Sequence, residues 1–131
     1  MATTTFSDIE TLFHSMPLTK YEIPEGLEAA WLQIAVSDYE LNIGVKLGYD
    51  EEGRTFSGEL TGTQRRTLAQ MMYVQYLQRE LSRVMALNGI YGKDVQLTGR
   101  DATKRVTKAE LDSQIAEVEK LLHRQNEHAF G

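Results

Sequence analysis

The chain of 131 residues has no cysteine, two prolines and a single tryptophan. Without cysteine there can be no disulfide, no thiolate zinc site and no thiol nucleophile, and redox chemistry leaves the compartment open. It also lacks the run of about eighteen apolar residues that a membrane-crossing helix needs. The opening MATTTFSDIETLF has no basic region ahead of an apolar stretch, so no signal peptide is expected. These absences describe a soluble protein made in the cytoplasm, without a membrane partner. At this length one domain with a modest core is expected.

Charge is present but unevenly placed. The formal net charge is −5, yet residues 1–53 carry −8, residues 54–108 carry +6 and residues 109–131 carry −3. Blocks of this kind either cancel within one folded subunit or form opposite faces of a polar one, which then associates head to tail with copies of itself or with charged partners. Head-to-tail contacts close into rings where the rotation permits.

Periodicity and capping signals predict a mainly α fold, a small bundle of about four helices over 6–16, 25–45, 62–88 and 107–125. Ser7 and Glu10 have capping-box spacing, Phe6, Ile9, Leu12, Phe13 and Met16 follow at helical steps, and Pro17 ends the run. Pro24 suits the first turn of the second helix, whose apolar stripe is Leu27, Trp31, Ile34, Leu41 and Val45. Asp38 falls on that stripe and is expected to pair with an arginine of another helix, because an unpaired buried charge is costly. GYDEEGRTFSGE then reads as an exposed turn or small hairpin, and its acids do not match a calcium loop.

The third helix opens at a second capping box, Thr61 and Gln64, and runs without proline to Asn88 and Gly89, a favoured stop. Leu68, Met71, Met72, Tyr73, Val74, Tyr76 and Leu77 point in most directions, so this helix is covered on more than one side, as a central helix or one that also meets a neighbouring subunit. The fourth opens at Thr107 and Glu110, with a narrow seam of Leu111, Ile115, Val118 and Leu122 suited to one antiparallel partner. Between the two lies NGIYGKDVQLTGRDATKR, which is expected to form a long extended connector over 89–106. An extended tail over 126–131 ends the chain.

Chemical motifs are sparse. GIYGKD places a lysine after a glycine, but the phosphate loop needs G-x-x-x-x-G-K-S/T after a strand, whereas here a helix precedes and Asp94 stands where the hydroxyl residue belongs. His14, His123 and His128 are dispersed, and the last two lack the i, i+4 spacing of a helical zinc pair. No serine has a nucleophile-elbow context. Catalysis, a metal and a cofactor are therefore not expected. Lys93, Arg100, Lys104, Arg105 and Lys108 could neutralise phosphates without reading sequence, although Asp94 and Asp101 lie among them. A tail with an aromatic anchor, His128 to Phe130, can dock into a partner.

TQRRTLAQMMYVQYLQRELSRVMAL, GIYGKDVQLTGRDATK and LLHRQNEHAF, together covering roughly residues 60–131, resemble small structural proteins of the head-to-tail connector type from long-tailed bacteriophages. LEAAWLQIAVSDYELN resembles them more loosely. The resemblance implies an adaptor, or head completion, protein of the virion neck, assembled in the host cytoplasm. Such a protein is mainly helical and forms a homo-oligomeric ring, twelvefold in this group, that joins the portal to the stopper or tail and helps retain packaged DNA. On this reading Lys93, Asp94 and Gln96 lie in a segment, KDVQL, that pairs with a neighbour or partner. Arg100, Lys104, Arg105 and Lys108 face the portal or the DNA channel, and His128 and Phe130 belong to the gripping tail. A helical DNA-binding or DNA-packaging accessory protein is the alternative.

Overall fold

A computed structural model describes residues 3–16, 18, 23, 26–50, 52–91 and 98–130, and for 84–91, 98–104 and 126–130 it describes the backbone alone. The architecture is mainly helical, as expected: α1 (Phe6–His14), α2 (Leu27–Ile43), α3 (Gly62–Tyr91) and α4 (Thr98–Phe130), with a short antiparallel pair of strands, β1 (Tyr49–Asp50) and β2 (Thr55–Phe56), between α2 and α3.

α3 is the central element and packs against each of the other three helices. Its all-round apolar composition is the cause: Leu68, Ala69, Met71, Met72, Tyr73, Tyr76 and Leu77 are all buried although they point to different sides. Each large side chain removed from water in this way contributes about 1.5–3 kcal/mol. α4 returns antiparallel along α3 through the expected seam, with Leu111 and Val118 buried and Ile115 and Leu122 packed against the core. Phe13 of α1, Trp31 of α2 and Tyr76 of α3 form a triangle of edge-to-face rings with centroids 5.9–6.3 Å apart. Such contacts add about 0.5–1.5 kcal/mol each beyond area burial and set the angles between rings.

A polar tie closes one end of the bundle. Gln125 of α4 accepts from the Tyr39 hydroxyl of α2 and donates 2.9 Å to Oγ1 of Thr67 on α3. Thr67 in turn donates 2.7 Å to the Thr63 carbonyl. Burial pushes the Tyr39 phenol up, opposed by a hydrogen bond from Gln64. That residue also completes the expected capping box of α3: the Thr61 amide donates 2.9 Å to Gln64 Oε1, and the Gln64 amide donates 3.1 Å to Thr61 Oγ1.

The small hairpin organises the amino terminus. The Phe56 amide donates to the Thr4 carbonyl at 2.9 Å and the Phe6 amide to the Arg54 carbonyl at 2.8 Å, so residues 4–6 run beside β2. Thr4 is buried, and its hydroxyl accepts from the Leu60 amide at 2.9 Å. Arg54 adopts a left-handed φ of 52° and lays its guanidinium over the Phe6 ring.

Several boundaries differ from those the sequence predicts. α1 is capped by Thr5 and Asp8, not by Ser7 and Glu10. Both pairs have the spacing, but the strand pairing holds Thr5 extended and starts the helix at once. α2 begins at Leu27 behind a left-handed Gly26, and Pro24 lies outside the described residues. The expected connector does separate the third and fourth helices, but helical turns enter it from both sides, α3 continuing through Gly89 to Tyr91 and α4 starting at Thr98, and residues 92–97 lie outside the described residues. An internal glycine weakens a helix by only about 1 kcal/mol, and Ala, Lys and Arg in DATKR favour one. Thr107 therefore lies within α4 and does not cap it. The tail is also not extended, since α4 runs to Phe130; a polar helix end shows no apolar period by which the sequence could announce it.

Candidate functional site

α2 carries apolar residues on two sides. The face that meets the core consists of Trp31, Leu32, Ala35, Val36, Tyr39 and Ile43, all buried. The expected stripe shares only Trp31 fully with it. Leu27 is half-buried against the core, and the other three members turn outward: Ile34 is 43% exposed, Leu41 83%, and Val45, just past the helix end, 44%. Asp38 lies on the same outward face and is exposed. The ion pair expected for it is absent among the described residues, and water solvates the carboxylate instead. The sequence pattern ran between two faces because both are apolar, so period alone could not select the buried one.

The residues that the sequence marks for partner or DNA contact fall into three groups. Lys93, Asp94 and Gln96 lie outside the described residues. Arg100, Lys104, Arg105 and Lys108 stand in the first turns of α4, on helical backbone and not on an extended loop. Steps of four residues place 100, 104 and 108 on one side of that helix; Arg105 and Lys108 are exposed. His128 and Phe130 belong to the last turn of α4, not to a separate tail, and are described by backbone only. The structure thus gathers four bases at one end of a helix of 33 residues and sets His128 and Phe130 at the other.

Two further groups escaped the sequence reading. Arg66 of α3 and Arg124 of α4 line a groove with Thr63 and Gln125, at the end where the polar tie closes the bundle. Glu10 and His14 of α1 meet Glu28 of α2, with Nε2 of His14 2.6 Å from Oε1 of Glu28. The signal for the second group was the i, i+4 spacing of Glu10 and His14. Glu10 also has the spacing of a helix-capping residue, and the third member of the group, Glu28, lies on another helix, far away in sequence.

In class, the chain is a four-helix domain with a central helix, a small hairpin and an apolar face outside its core. No family model matches it, and no curated protein and no solved structure is similar to it at a meaningful level.

Proposed function

We propose that this chain is a non-catalytic structural protein of the bacteriophage neck, an adaptor subunit whose ring joins the portal to the stopper or tail. The observation that carries the reading is the outward face of α2. Ile34 and Leu41 are exposed on the side of α2 away from the core, and Val45 is exposed just past its end, and large apolar side chains left in water in this way suit a contact surface. Repeated around a rotation axis, that face meets a different surface of the next subunit, and the contact is of the heterologous kind that closes into a ring. The sequence resemblance supplies the identity of the ring, and the charge blocks favour the same polar association. The bases at the start of α4 then face the portal or the DNA channel, where neutralised phosphates release counterions without sequence readout.

The test is assembly. Purified with its portal, the chain should form a ring of matching symmetry, visible by electron microscopy and by native mass measurement, and it should be present in virions. Leu41→Glu should abolish that ring while leaving the stability of the monomer within about 0.5 kcal/mol, as for other surface changes. A chain that stays monomeric with and without the portal, and is absent from virions, refutes the proposal.

A further inference from the structure

Glu10, His14 and Glu28 form the one group of three potential metal ligands among the described residues, one ligand atom of each lying within 4.8 Å of the others. We propose that these three side chains bind a divalent transition ion of the zinc class and that the ion clamps α1 to α2. The argument starts from the helices. Glu10 and His14 are four residues apart on α1, so both side chains lie on one side of it. Glu28 is in the first turn of α2 and His14 in the last turn of α1, where the helix ends favour a carboxylate at the first and a bound cation at the second. Phe13 and Trp31 are buried beside them with their rings in edge contact. The helices that carry the ligands are therefore held in register by the core, before any ion arrives.

The chemistry of the donors selects the ion. One imidazole nitrogen with two carboxylate oxygens is a mixed N/O set, which suits zinc and its neighbours, whereas calcium and magnesium prefer oxygen throughout and thiolate-seeking ions have no cysteine to bind. Three protein ligands leave a fourth tetrahedral position for water. Bonds of about 2.0–2.1 Å bring tetrahedral ligand atoms to about 3.3 Å from one another, so the His14–Glu28 pair at 2.6 Å must open slightly, which rotamer adjustment of the glutamate permits. The site is charged for a cation: two carboxylates face one imidazole, within a segment that carries −8 over residues 1–53. Glu10 and Glu28 are half-buried and His14 is exposed, so an ion can reach them from solvent.

The experiment uses the full chain stripped of metal with a chelator, titrated with zinc chloride by calorimetry and with cobalt(II) by visible absorption. One ion per chain is expected, with a rise in melting temperature and no saturable response to magnesium. Glu10→Gln is the decisive variant. It leaves the His14–Glu28 contact in place, so the metal-free protein should melt as the parent does, but zinc affinity should fall by about 100-fold, since groups that merely orient metal ligands are already worth about 10- to 100-fold. His14→Gln should do the same, and His123→Gln should change nothing. Zinc binding weaker than about 0.1 mM, or binding unchanged in Glu10→Gln, or lost equally in His123→Gln, would overturn the proposal and leave His14–Glu28 as a helix-to-helix ion pair only.

Discussion

Gln125 joins three helices through one side-chain amide, because Tyr39, Thr67 and the Gln125 carboxamide meet where α2, α3 and α4 converge. Replacing it with leucine removes the acceptor and leaves a buried hydroxyl as an unmatched donor. Gln125→Leu should therefore cost about 1–3 kcal/mol in urea unfolding, the usual penalty for an orphaned buried polar group. Adding Tyr39→Phe should recover part of that loss, and a purely additive double variant would contradict the tie. Tyr73 supplies a second residue-scale expectation. Burial, then the charge of Glu110, then Tyr76, push its phenol from the ordinary 10.0 up to about 12. The folded state therefore holds the proton more tightly than the unfolded state. Its stabilising contribution is complete below pH 10 and is lost as pH rises towards 12. Unfolding free energy measured across that interval should decline, and Tyr73→Phe should decline less steeply.

At the scale of elements, helix ends follow rules of local chemistry but are chosen by neighbours. The capping box at Thr61 and Gln64 works because nothing else claims those backbone groups. At the amino terminus two boxes compete, and the pairing of residues 4–6 with the hairpin decides for Thr5. That choice places Glu10 inside α1 and leaves its carboxylate available to the cluster with His14. The hairpin in turn depends on its entry. Gly48 has a φ of 67°, and a Cβ there would stand 2.3 Å from the Ser57 hydroxyl and 2.7 Å from its Cβ. Gly44, which ends α2, also has a positive φ of 79° but open space around the missing Cβ. Gly44→Ala should cost about 1–2 kcal/mol, the strain of a left-handed residue. Gly48→Ala should cost more, since steric displacement of Ser57 adds to the same strain. Thermal or urea unfolding of the two variants checks the order.

At the scale of the whole molecule, one core serves four helices because α3 is apolar on nearly every side, and α1, α2 and α4 each take one of them. α2 keeps Ile34 and Leu41 exposed outside that core, so the monomer should be indifferent to Leu41 whereas the proposed ring should depend on it. The sequence by itself determined the helical class, the coverage of α3 on more than one side, the seam of α4, the Thr61–Gln64 cap and a turn or small hairpin after α2. Each of these is written in side chains within one or two turns, where period and capping act. Only the tertiary structure decided which face of α2 is buried, which amino-terminal pair caps α1 and how far α4 extends. It alone joined Gln125 to Tyr39 and His14 to Glu28. Those outcomes depend on residues far apart in the chain, and an apolar period states that a face can be buried without stating which neighbour covers it.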